Sequence, residues 1–167
     1  MNDELTEIDI KKMQEEVEYR RLQLRPQLLE DVKVAREFGD LSENFEYKSA
    51  KREKNRNDSR IRYLEHMIKT AKVIRVDSRA DEIGLFDKVD IYLEEDDETQ
   101  TIELVTTLRQ NALKGLISKE SPVGKAIMGR KAGERVLVEV SPDYSYYIQI
   151  KNVVKGADDE SLPISAY

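Results

Sequence analysis

Two long helix-forming runs, separated by one glycine, constrain this chain more than any other feature. From Leu5 to Phe38 there is no glycine and a single proline, Pro26; after Gly39-Asp40 a second run extends from about Ser42 to Ile74. Glu, Lys, Arg, Gln and Leu dominate both, and all are good helix formers. In the first run, Ile10, Met13, Val17, Leu24, Leu28, Val32 and Ala35 fall close to one helical stripe. Pro26 sits inside that stripe, so a kink or a lost backbone hydrogen bond is expected there. The second run has a cleaner seam at Tyr47, Ala50, Lys54, Asn57, Ile61, Leu64, Ile68 and Ala71, spaced alternately by three and four. Two such helices joined by a short turn form an antiparallel hairpin. At about 1.5 Å per residue the arms would run roughly 50 Å. No third helix of similar length follows, so the turn near Gly39 should project into solvent or into a partner.

The second half changes period. VDIYLEE, QTIELVTTL, RVLVEV and SYYIQIKNVV alternate or run β-branched and aromatic, as strands do. Glu94–Glu98 between the first two reads as a solvated hairpin turn. Ser121-Pro122 reads as a helix start, with Gly129 just past the end. The fold class is therefore α+β: a helical coiled-coil hairpin over 1–77 with its tip near 39–44, a small α+β domain over 78–156, and a loose tail over 157–167.

Composition narrows the chemistry. Charged residues make up 37% and hydrophobic residues 39%, more charge than a compact core needs and what an exposed helix pair would carry. There is no cysteine and His66 is the one histidine, which removes thiolate nucleophiles, Cys-based zinc sites and histidine networks. His66 itself reads as a surface helix residue. No apolar run is long enough to span a bilayer, and the acidic N-terminus is unlike a signal peptide, so a cytoplasmic location is expected. The net charge of −6 conceals a polarity: residues 1–46 carry −6, residues 47–75 carry +7 and residues 78–167 carry −6.

That polarity centres on the tip. Asp40 and Glu43 lie three apart at the start of the second helical run. Acids at a helix start commonly cap it, with Asp40 or Ser42 as the cap and Glu43 favouring the positive end. The same pair would equally present two hard oxygen donors to Mg²⁺, too few for a complete site but enough to supplement one held by a partner. Behind the tip come Lys48, Lys51, Arg52, Lys54, Arg56, Arg60 and Arg62, with 48, 52 and 56 on one face. These form either a solvated face paired with acids of the first helix or a phosphate-binding stripe. Tyr144, Tyr146 and Tyr147 read as sheet-packing residues.

The string AREFGDLSENFEYKSAKREKNRNDSRIRYLE (Ala35–Glu65), preceded by Arg25-Pro26, resembles the bacterial Gre transcript cleavage factors of GreA type. A second signature, LISKESPVGKAIMGRKAG (Leu116–Gly133), is similar to the Gre pattern in the expected order. The resemblance implies a coiled-coil hairpin followed by an FKBP-like domain, agreeing with the architecture read from the residues. It also implies a function: insertion of the hairpin into the secondary channel of bacterial RNA polymerase and stimulation of cleavage near the 3′ end of backtracked RNA. The protein would then be no enzyme by itself and a monomer. It would have no cofactor of its own, and Asp40 and Glu43 would help hold a Mg²⁺ shared with the polymerase. By the same resemblance Arg36, Lys48 and Arg52 would hold RNA, and Asn44 and Tyr47 would position the tip. Glu120, Ser121 and Pro122 would dock on the coiled coil at the channel rim.

Departures from the family pattern point to a divergent member. Phe45 stands where the family usually has Ala, Glu120 where Asp is common, and SPDYSYY replaces a Pro-Gly-Gly hairpin. Val105–Ser118 lacks the usual acidic turn, and the extension after Gly156 is unusual. The alternative is therefore a non-cleaving channel binder that inhibits or regulates the polymerase. A prolyl isomerase or chaperone would need no projecting carboxylates.

Overall fold

The computed structural model describes residues 2–39 and 44–165, which form two compact units. Ile10–Ala71 make up the hairpin unit; residues 2–9 and 72–165 make up the sheet unit.

The first arm of the hairpin is continuous but not uniform. Helix α1 (Glu7–Tyr19) passes into a π-helical turn over Arg20–Leu24 and then into α2 (Arg25–Arg36). Pro26 occupies the first turn of α2, which is entered directly from the π turn, so its missing N–H leaves one backbone hydrogen bond of the continuous arm unmade. The expected disturbance thus takes the form of one wide turn, in which the Arg25 N–H donates to the Arg20 carbonyl five residues back. Helix α3 (Phe45–Thr70) is the second arm. Every residue of the seam read from the sequence, from Tyr47 to Ala71, is buried or half-buried. So is every residue of the first-arm stripe, with Met13, Val17 and Ala35 buried outright.

The middle of the seam is polar and fully engaged. Arg20 donates to the Asn57 side-chain oxygen (2.9 Å), and Asn57 returns a bond to the Arg20 carbonyl (3.3 Å). Glu16 Oε2 accepts from both Arg20 (2.8 Å) and the buried Arg60 (2.8 Å). Arg25 and Lys54 each lie 3.0 Å from Asp58, and Arg21 meets Glu65. These bonds fix the register of one helix on the other, because a shift of one turn would strand buried charges.

In the sheet unit five strands lie in the order β5-β4-β3-β7-β6: β3 (Lys88–Leu93), β4 (Glu98–Val105), β5 (Leu116–Ser118), β6 (Arg135–Ser141) and β7 (Tyr144–Val154). All pairs are antiparallel except β4 with β5. Helix α4 (Pro122–Ile127) packs against β6, and Ile127 joins a core of Ile83, Val89, Ile91, Leu104, Val138, Ile148 and Ile150. The four strands and the short helix read from the sequence are present, and β5 is additional.

Two expectations are corrected here. Leu5 does not begin the first helix: β1 (Glu4–Leu5) pairs in parallel with β2 (Lys72–Val73), so residues 2–9 belong with the sheet unit and not with the hairpin. Burial explains this, since Leu5 is fully enclosed. The segment after Gly156 is not loose through residue 165. Leu162 packs on the cluster of Leu85, Phe86, Val105 and Leu116, and the Ser165 N–H donates to the Leu108 carbonyl (2.6 Å).

The anchor of both segments is Arg109, whose side chain is fully buried. Its guanidinium lies 2.7 Å from Asp9 and 2.5 Å from Asp158, and stacks 5.3 Å from the Phe86 ring centroid. Thr6 and Asp9 cap α1 reciprocally: Thr6 N–H donates to Asp9 (3.0 Å) and Asp9 N–H donates to Thr6 Oγ1 (3.2 Å). The Thr6 hydroxyl also donates to Asp158 (2.6 Å). Among the described residues no helix is long and apolar enough to cross a membrane.

Candidate functional site at the hairpin tip

Asp40 and Glu43, the two candidate metal-binding carboxylates, lie outside the described residues, as do Leu41 and Ser42. What the structure gives is the frame on either side of them. Helix α3 begins at Asn44, whose side-chain oxygen accepts from the Tyr47 N–H (3.0 Å). The N-cap is thus Asn44, in place of Asp40 or Ser42, and asparagine suits it because its short carbonyl reaches the third helical N–H. The same side chain donates from Nδ2 to the Ala35 carbonyl (2.6 Å) in the last turn of α2. One residue therefore caps one helix and ties it to the end of the other. Asn followed by acidic Glu46 in the first turn was the signal for it in the sequence.

Tyr47 stands one turn into α3 among cations. Arg36 donates to its hydroxyl (3.4 Å) and lies 5.5 Å from the ring centroid; the Lys51 ammonium lies 6.0 Å from the same ring. The hydrogen bond from Arg36, with the nearby charges of Lys51 and Arg36, lowers the Tyr47 pKa below the usual phenol value, against a smaller opposing effect of burial.

Lys48, Lys51, Arg52 and Arg56, with Asn55 and Ser59, line an open concavity of about 390 Å³. Among the described residues no carboxylate lies within ion-pair reach of Lys48 or Arg52. Two cations of the sequence stripe leave it. Lys54 turns to Asp58, and Arg60 is buried on Glu16, so both serve the hairpin's own packing. Arg36, Lys48 and Arg52 thus flank the tip on exposed surface, and Asn44 and Tyr47 brace it.

Glu120, Ser121 and Pro122 lie elsewhere, at the start of α4. The Ser121 hydroxyl accepts from the Gly124 N–H (3.0 Å) and donates to the Ser118 carbonyl (2.7 Å). Pro122 occupies the first helical position, and half-exposed Glu120 pairs with Lys119 (3.3 Å). Gly124 has no room for a side chain: a Cβ would sit 2.1 Å from the Ser118 carbonyl oxygen. Ser121 and Pro122 hence shape the turn that presents Glu120. Among the described residues no three His, Asp or Glu side chains converge on a metal-sized site.

The chain thus combines a helical hairpin, braced by Asn44 and flanked by cations at its tip, with a separate small sheet unit. A family model described as "Transcription elongation factor, N-terminal" matches residues 4–73, and one described as "Transcription elongation factor, GreA/GreB, C-term" matches residues 78–155. The chain belongs to the GreA/GreB transcription elongation factor family. It is 42% identical over 137 residues to the transcription elongation factor GreA of Caldanaerobacter subterraneus subsp. tengcongensis, covering 81% of this chain and 87% of that one. It is 37% identical over 147 residues to the GreA of Streptococcus pneumoniae serotype 19F, covering 87% and 91%. Among solved structures, the GreA factor homolog 1 of Thermus thermophilus aligns over 93% of this chain and 100% of that one, at 22% identity and a TM-score of 0.42.

Proposed function

We propose that the protein is a transcription elongation factor that acts on RNA polymerase as an accessory, inserting its hairpin into the secondary channel and stimulating cleavage of backtracked RNA. The observation that supports this most is the family match across both units at 37–42% identity to GreA proteins. The chemistry of the tip is compatible. Asp40 and Glu43 are hard oxygen donors of the kind Mg²⁺ prefers, and two carboxylates supplement a site without completing one. A Mg²⁺ ion shared with the polymerase would supply charge stabilisation at the phosphate and an activated water.

The remaining roles belong to this chain. Asn44 holds the ends of α2 and α3 together, so the tip loop between them starts and ends at fixed points. Arg36, Lys48 and Arg52 attract phosphates of the extruded RNA. Tyr47, held between Arg36 and Lys51, orients Arg36 toward the tip. Glu120, beside Ser121 and Pro122, meets the rim of the channel. Such a factor works in the cytoplasm as a monomer.

The test is a stalled, backtracked transcription complex given the protein and Mg²⁺, with short 3′ RNA fragments as readout. Wild type should release fragments, whereas Asp40→Ala and Glu43→Ala should lower the rate at least about 100-fold while binding persists. Unchanged cleavage in both variants refutes the tip mechanism. Binding without cleavage by wild type supports the other reading, a channel binder that inhibits, which the exposed ring of Phe45 beside the tip favours.

A further inference from the structure

Lys48, Lys51, Arg52 and Arg56 line one concavity beside α3; another flank of the hairpin has a different chemistry. There Phe45, Leu28 and Ala50 share a concavity of about 400 Å³ with the carboxylates of Asp31, Glu46 and Glu53. Phe45 is 86% exposed at the first helical position of α3, so the fold gains almost nothing from its ring. A bare aromatic in a half-apolar hollow is the form of an interface anchor. The acids are scarcely neutralised from within. Among the described residues Asp31 accepts from the Gln27 amide (3.0 Å) with no cation partner, Glu53 lies 3.8 Å from an exposed Arg56, and Glu46 has no cation partner. Three carboxylates around the ring repel a phosphate backbone and attract a cationic surface.

We propose that this flank is a protein-docking face, in which Phe45 and its acidic surround seat a Lys/Arg-rich segment of RNA polymerase. The occupant would place an ammonium or guanidinium over the Phe45 ring and pair others with Glu46 and Glu53. The hairpin then divides its labour, with phosphates on the Lys48–Arg52 flank and basic protein on the Phe45 flank. The inference rests on the polymerase reading given above.

The test uses the full chain and RNA-free core RNA polymerase, with dissociation constants measured at low and high salt. Phe45→Ala should weaken binding about tenfold and Phe45→Trp should retain it. Glu46→Gln with Glu53→Gln should weaken binding at low salt, the loss shrinking toward 0.5 M salt as screening removes the charge term (roughly 4 Å Debye length there). Circular dichroism should show unchanged helicity in each variant. Equal affinity of Phe45→Ala and wild type overturns the proposal and leaves the polymerase reading standing. So does a loss seen only when RNA is present, which assigns the ring to RNA. Self-association of wild type abolished by Phe45→Ala, read by sedimentation, assigns the face to a second copy and also overturns it. Failure of wild type to bind the polymerase at all removes both readings together.

Discussion

Tyr47 shows how one side chain can report the state of the tip. Its hydroxyl accepts from Arg36 and its ring lies against Lys51, so the phenolate is stabilised. Tyr92 and Tyr144 are opposite cases: their hydroxyls donate to Asp97 and Glu95, and those hydrogen bonds raise the pKa above the ordinary value. A pH titration of ring-labelled tyrosine by NMR should therefore deprotonate Tyr47 before Tyr92 and Tyr144. Arg36→Ala should move Tyr47 back toward the unperturbed value and leave the other two in place. The sign of the linkage follows from the depressed pKa. The contribution to folding is complete above the unfolded value near pH 10 and disappears as pH falls through the folded value. At neutral pH the Arg36–Tyr47 pair therefore acts through geometry and not through ionised phenol. An order Tyr92 before Tyr47 would refute this account.

Between the helices of the hairpin, Glu16 is the group on which the polar seam depends. Burial pushes its pKa up, but hydrogen bonds from Arg60 and Arg20 outweigh that and hold it below the usual carboxylate value. Its stabilisation is thus present above the unfolded pKa near 4.5 and is lost as pH falls through the lower folded value. Glu16→Gln removes the carboxylate charge that accepts from both Arg20 and the buried Arg60. A fully buried pair broken on one side costs about 3–5 kcal/mol, and the partial exposure of Glu16 reduces this to roughly 2 kcal/mol. Chemical denaturation at pH 7 followed by helical signal should show that loss, and the difference between variant and wild type should shrink below about pH 4. The apolar part of this seam was legible in the sequence because helical periodicity is local: Ile61, Leu64 and Ala71 lie where a spacing of three and four places them. Pro26 announced a disturbance, but its form as a π turn depends on where the following helix needs to face. Strand β5 carries no signal of its own, because Leu116–Ser118 is too short to show a period and is defined by its pairing with Glu103–Val105. The role given to Asp40 and Glu43 rests on the motif around them alone, since two acids near a helix start also fit ordinary capping and both lie outside the described residues.

What no local pattern announces is the closure of the sheet unit by residues from both ends of the chain. Asp9, Arg109 and Asp158 are separated by about 100 and 49 positions, and each alone reads as a surface charge; together they form a buried knot against Phe86. This knot makes the sheet unit dependent on residues 2–9 and on the segment after Gly156, although neither supplies a strand to the five-stranded sheet. The hairpin seam and the knot lie in different compact units, so their failures should be separable. Arg109→Ala strands the buried Asp9 and the half-buried Asp158 and removes the cover of Phe86, which should cost the sheet unit about 3–5 kcal/mol. Amide hydrogen exchange resolved along the chain separates this from a general loss of stability. In Arg109→Ala, protection should fall across β3, β4, β7 and residues 158–165, while amides of α3 around Ile61 and Leu64 keep theirs; Glu16→Gln should give the converse pattern. Uniform loss of protection in both variants would mean that the two units unfold as one, and the division of labour between a hairpin and a separately stabilised sheet unit would have to be abandoned.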